Sequence, residues 1–267
     1  MKNAVLFEQN FESEFIEWAT DVVSVGVSTQ AAEKFNQFLI ARIGGYMESP
    51  ASSSGTRHHA YPGGMMVHSV EVFIQTCRTM ASVVGWQDLR LDIRGLSRSD
   101  KANALVASML HDFNKVQDMF GRPLYIPNIL KKGERSTAKP FKRDPNFLSM
   151  SPPNNLPEGA SEDEKVDWMA HNFATVMVNR WGNTLSEGWI SAALVDSLHP
   201  GMLELFEEDV TQAIEIHDGG YSARRSHHAG SESLLAISLH FADMISSRGL
   251  NETVAMSVES IRDAIPS

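Results

Sequence analysis

The apolar run Ala104-Leu105-Val106-Ala107-Ser108-Met109-Leu110 ends in His111-Asp112. A buried helix there delivers an imidazole and a carboxylate side by side. Neighbouring helical residues point about 100° apart, so both reach one ion only if it sits in the angle between them, near the helix end. The pair is a candidate metal chelate. Lys115 brings a positive charge close by, and Asn114 stands where the chain turns away, a residue that tolerates left-handed φ better than any but glycine. His68 lies one turn beyond the break Pro62-Gly63-Gly64, beside Met65 and Val72. A lone histidine on an apolar helix face is more often a satisfied core residue than a ligand. Asp243 lies among Leu239, Ala242, Met244 and Ile245, where a carboxylate is costly to bury unless it pairs with a base such as Arg248 or coordinates a metal. His171, within 166–181, and His217, at the end of a helix that begins near Met202, add two more imidazoles.

These side chains must be positioned by helices. Apolar residues recur at helical spacing, as in Ala32, Phe35, Leu39 and Ile43, and clear alternating strands are hard to find. The pattern predicts an all-α protein with helices near 11–24, 29–43, 65–83, 100–113, 164–181, 187–197, 202–217, 232–247 and 253–264. Ser28 and Ser231 are expected N-caps, and Gly44-Gly45 and Gly219-Gly220 are expected to end the helices before them. Residues 116–163 break the pattern with seven of the eleven prolines, and Lys131, Lys132, Arg135, Lys139, Lys142 and Arg143 gather within it. This basic insertion cannot be a long regular helix. It is either a solvated loop or a lid whose charge meets an anionic substrate. The 267 residues show no internal repeat and no composition shift, which fits a single domain.

Composition narrows the function classes. A net charge of −10 repels a phosphate backbone except where bases concentrate locally, which argues against general DNA coating. Cys77 is the only cysteine, so an intramolecular disulfide and a CxxC redox site are excluded, and a reducing cytoplasm is the expected compartment. The opening MKNAVLFEQNFE reaches Glu8 before any useful apolar region, and no apolar run approaches membrane-spanning length. Neither export nor a membrane partner is expected.

The order His68, His111-Asp112, Asp243 resembles the H…HD…D signature of the HD-domain superfamily of metal-dependent phosphohydrolases. Ser108-Met109-Leu110-His111-Asp112-Phe113-Asn114-Lys115 is similar to the family's LLHDxGK, with Asn114 in place of glycine. His58-His59-Ala60-Tyr61-Pro62-Gly63-Gly64-Met65-Met66-Val67-His68-Ser69 resembles the HHxxxGGLLxHT approach of HD-type 3′-to-5′ exoribonucleases and of the HD region of some relaxases. The resemblance implies a helical HD-type core over 58–248, an N-terminal helical extension over 1–57, the insertion at 116–163 and a C-terminal helix in 249–267. It also implies one metal on His68, His111, Asp112 and Asp243, and, as in the binuclear branch, a second on Asp112, His171 and His217. His199, His227 or His228 could replace one of the two outer ligands. Such a mixed shell suits one or two Mn, Fe, Co, Ni or Zn ions.

That implied chemistry is phosphoester hydrolysis by metal-activated water. Lys115 would stabilise the anionic transition state together with Asp112 at the metal, while His58, His59, Lys139, Lys142, Arg143, Arg224 and Arg225 would bind substrate. The expected partner is a phosphorylated small molecule, such as a nucleotide, or a single-stranded nucleic-acid end. Two other classes stand beside this one. Similar shells in myo-inositol oxygenase-like proteins hold two irons and activate O₂, and a non-catalytic accessory module would be expected to have a degraded ligand set.

Overall fold

The computed structural model describes residues 5–55, 58–87, 95–118, 120–130, 133, 136, 138–144, 187–217, 233–248 and 254–266. Among them the chain is predominantly helical. Helix α1 (Phe11–Ser24) buries Phe11, Phe15, Trp18, Ala19 and Val23, one face at helical period. Helix α2 (Thr29–Glu48) starts where the Ser28 hydroxyl accepts the Ala31 N–H. Helix α3 (Gly64–Gln87) carries His68, and α4 (Arg98–Leu110) opens with a capping box between Ser97 and Asp100. The remaining helices are α5 (Phe113–Val116), α6 (Glu187–Leu198), α7 (Glu208–Ile216), α8 (Leu234–Ser246) and α9 (Val258–Ala264). Every residue of α4 from Ala102 to Leu110 is buried, because α1, α3, α6, α7 and α8 surround it. One hydrophobic core runs from Phe11 to Ile261, so α1 and α2 are part of the same packed unit as the site. No helix among the described residues is long and apolar enough to cross a membrane.

Several boundaries differ from those read in the sequence. Gly44-Gly45 does not end α2, which runs on to Glu48; a Cβ on Gly45 would lie 2.7 Å from Val116, so the glycine serves the approach of α5. Tyr46, one residue later, is fully buried and donates to the Met109 carbonyl, which fixes the continued helix against α4. The expected helix 202–217 divides into a 3-10 turn at Leu203–Leu205 and α7, with Phe206 and Glu207 extended between them. The expected helix 100–113 stops at Leu110, and Asp112 separates it from α5. Asn114 lies inside α5 and is not left-handed; its Oδ1 accepts the Ser191 hydroxyl and its N–H donates back to the Ser191 Oγ. The cap of α8 is Ser233, while Ser231, Gly219-Gly220 and the expected helix 164–181 lie outside the described residues.

Short strands also appear where none was read. β1 (Val5–Phe7) pairs in parallel with β4 (Val254–Met256), which replaces the first turn of the helix expected at 253–264. Three residues are too few for alternation to show in the sequence. Within the basic insertion, β2 (Tyr125–Pro127) pairs antiparallel with β3 (Phe141–Arg143), and Leu124, Tyr125 and Phe141 bury a small cluster of their own.

Candidate metal centre

Four elements converge on one point. Helix α3 brings His68, the end of α4 brings His111 and Asp112, the end of α7 brings His217, and α8 brings Asp243. The His68 Nε2 lies 3.2 Å from His111 Nε2, 3.3 Å from Asp112 Oδ2 and 3.2 Å from Asp243 Oδ1. His111 Nε2 is 3.5 Å from Asp112 Oδ2 and 4.0 Å from Asp243 Oδ1. One ligand atom from each of these four residues lies within 4.8 Å of the other three. Metal–ligand bonds of about 2.1 Å separate neighbouring ligands by about 3.0 to 3.4 Å. The cluster therefore has the spacing and the donor chemistry to hold a divalent ion.

The ring orientations are set locally. His111 Nδ1 donates to the Ser108 carbonyl at 2.8 Å, and His217 Nδ1 donates to the Ile214 carbonyl at 2.9 Å. Each histidine thus satisfies a carbonyl of its own last helical turn and presents Nε2 outward. Asp112 follows α4 with φ −113° and ψ 22°, and its carboxylate makes no capping bond to α5. Lys115 Nζ donates to Asp112 Oδ2 at 2.6 Å. Among the described residues the other oxygen, Oδ1, is buried without a hydrogen bond, and His217 Nε2 stands 3.7 Å away, too far to supply one. A buried carboxylate oxygen without a donor suits a cation, in keeping with the donor set of the cluster.

Electrostatics follows from this crowding. Burial would push the Asp112 carboxyl up, but Lys115, His111 and the neighbouring imidazoles outweigh it and hold the group well below the usual range. Burial likewise opposes ionisation of Asp243, and the hydrogen bond and charge of His68 carry it below its ordinary value. His111 is pushed down to about 4, chiefly by burial, so it is neutral and ready to ligate. His68 moves the other way: burial lowers it, yet hydrogen bonds to Asp112 and Asp243 raise it to about 8. An incoming ion must displace that proton. Metal binding near pH 7 should release about one proton, and affinity should fall about tenfold per unit as pH drops below 8 toward 5. Calorimetry in buffers of different ionisation enthalpy measures the released proton directly, and a pH-independent affinity would place the proton elsewhere.

The surrounding residues sort themselves by position. The His58 ring lies against His68, 5.1 Å between centroids, and is pushed down to about 3 by burial and by the charges of His68 and Lys115. His59, expected to approach the substrate, is instead buried, with Nδ1 2.9 Å from Tyr61 Oη and Nε2 donating to Glu71 Oε2 at 3.0 Å. Its φ of +47° is left-handed, a conformation that a non-glycine residue keeps only where its surroundings demand it. Gly64 makes the turn possible, since a Cβ there would lie 2.0 Å from the His59 carbonyl oxygen. Lys139, Lys142 and Arg143 are exposed on or beside the β2–β3 hairpin. The Gly55 N–H donates to the Ala138 carbonyl at 3.0 Å, which ties that hairpin to the loop leading to His58. His171, His227, His228, Arg224 and Arg225 lie outside the described residues. His199 is away from the cluster, accepting from Arg42 Nε at 3.4 Å and packing on Phe38.

Three residues near the site were not singled out in the sequence. Glu71 lies three residues after His68, and Ser246 lies three after Asp243. His240 lies three before Asp243 and donates from Nδ1 to the His217 carbonyl at 2.5 Å. Each shares a helix face with a ligand, a relation visible once the ligand is known. No protein-family model, curated protein or solved structure matches this chain.

Proposed function

We propose that this chain is an HD-type, metal-dependent phosphoester hydrolase acting on a nucleotide or a nucleic-acid 3′ end. The observation that carries this reading is the buried Asp112 carboxylate, which faces three imidazoles, has one oxygen without a hydrogen bond among the described residues and holds Lys115 on the other. His68, His111, Asp112 and Asp243 would hold one divalent ion, and Asp112 with His217 and His171 a second. Such ions supply an activated water and neutralise charge developing on a phosphoryl oxygen. Lys115 adds a cation at the same point, and His58, neutral at the rim beside His68, offers the substrate a hydrogen-bonding edge. Lys139, Lys142 and Arg143 give a protein of net charge −10 the local positive potential that an anionic substrate needs.

The test is turnover of nucleotides, cyclic dinucleotides and short single strands by protein loaded with Mn, Zn or Fe. Hydrolysis should proceed without oxygen. Replacing Lys139, Lys142 and Arg143 together by glutamine should raise KM for a charged substrate by about tenfold and flatten its salt dependence, with metal content unchanged. Turnover that requires iron and consumes O₂ would replace this reading with an oxygenase, and bound metal with no turnover would leave an accessory module.

A further inference from the structure

The ligand His68 differs from His111 and His217 in where its Nδ1 proton goes. The latter two sit at helix ends and donate to a carbonyl of their own last turn. His68 lies inside α3, where backbone carbonyls are committed to the helix, so its partner must come from another element. That partner is Ser246 of α8, whose Oγ lies 2.9 Å from His68 Nδ1. The Ser246 hydroxyl in turn donates to Glu71 Oε2 at 2.8 Å. A hydroxyl has one proton, and an ionised carboxylate only accepts. With its proton committed to Glu71, Ser246 can only accept from His68. Nδ1 must then carry hydrogen, and the lone pair of the neutral ring is left on Nε2, which faces His111, Asp112 and Asp243.

Glu71 is itself held. His59 Nε2 donates to the same Oε2 at 3.0 Å, and Tyr61 meets the far side of the His59 ring at 2.9 Å. The ring is held on these partners from a backbone of left-handed φ. We propose that Glu71, acting through Ser246, is a positioning residue that fixes the tautomer and angle of His68 for metal binding, with His59 and Tyr61 holding Glu71 in place. This rests on the metal-centre reading and extends it to residues that never touch the ion. It also gives the HHxxxGGxxxH segment a structural role: His59 braces the site from behind, while His58 remains at its rim.

The experiment measures Mn(II) and Zn(II) dissociation constants by competition with a chromophoric chelator for wild type, Glu71→Gln, Ser246→Ala and Ser246→Thr, beside the melting temperature of each metal-free protein. The Glu71→Gln amide keeps the size of the side chain but can offer Ser246 an N–H and so reverse the hydrogen-bond chain. Glu71→Gln and Ser246→Ala should each weaken binding by about 10- to 100-fold, the range for outer partners of metal-ligating histidines. Ser246→Thr, which retains the hydroxyl, should bind as wild type does, and the metal-free melting temperatures should stay close together. Unchanged affinity in Glu71→Gln and Ser246→Ala overturns the proposal. So does a loss shared by Ser246→Thr and matched by a lower melting temperature, which marks packing as the cause. Wild-type protein that binds neither ion overturns the metal centre itself, a result distinct from either.

Discussion

Replacing Asp112 with alanine should remove bound metal and activity together, the largest single effect expected in this protein. Its two oxygens face different partners: Oδ2 lies near His68, His111 and Lys115, while Oδ1 stands beside His217 with no hydrogen bond among the described residues. Outer partners of metal ligands already change affinity by about 10- to 100-fold, so removal of this carboxylate should exceed that range. Asp112→Asn keeps the shape and loses the charge, and it should fail nearly as badly, because the two imidazoles and Asp243 cannot offset a divalent cation alone. His217→Ala should be milder if two ions bind, removing about one metal equivalent while the ion on His68, His111 and Asp243 stays. Elemental analysis of the purified variants, with helicity checked by circular dichroism, measures this. Asp112→Ala protein with wild-type metal content would exclude the carboxylate from the centre.

How much of this was legible in the sequence depends on the range of the physics involved. His111-Asp112 could be read because its two groups are neighbours at the end of an apolar run, and helix geometry alone places them. Asp243 could be read from its cost among Leu239, Ala242 and Met244, although its side chain stays 21% exposed and Ile245 beside it faces outward; its partner is His68 in place of Arg248. Ser246 and Glu71 could not. Serine and glutamate on a helix look like solvated residues until α3 and α8 pack, and their hydrogen bond joins positions 175 apart in the chain. Backbone departures were equally hidden. Among the described non-glycine residues a left-handed φ falls on Asn10, just before α1, and on His59, where a network of side chains holds it, and not on Asn114, whose side chain is engaged by Ser191 within α5. Gly44-Gly45 read as a stop because glycine usually ends helices, but burial of Tyr46 against α4 outweighs a cost of about 1 kcal/mol per helical glycine. The helical class survived all of this, since it rests on periodicity summed over many turns.

Replacing Lys115 with methionine should separate catalysis from metal binding. The Lys115 side chain is 12% exposed, and its ammonium lies 2.6 Å from Asp112 Oδ2, an oxygen that the ion also needs. On the proposed reading, ammonium and metal would compete for one acceptor, and a bound ion would leave the Lys115 charge available to an entering anion. Lys115 is also the strongest neighbouring charge holding the Asp112 carboxyl down, so its loss makes that carboxylate more basic and a better ligand. Metal affinity in Lys115→Met should be equal to or tighter than wild type. Turnover should move the opposite way, with kcat lower by about 10²- to 10³-fold, the effect of deleting one donor to a developing oxyanion. Lys115→Arg, which preserves the charge but not its compact shape, should recover part of the loss. Metal titration and steady-state kinetics on the same preparations decide the matter. A fall in kcat that tracks lost metal would make Lys115 a structural partner of Asp112, whereas full occupancy with slow turnover assigns it to the transition state.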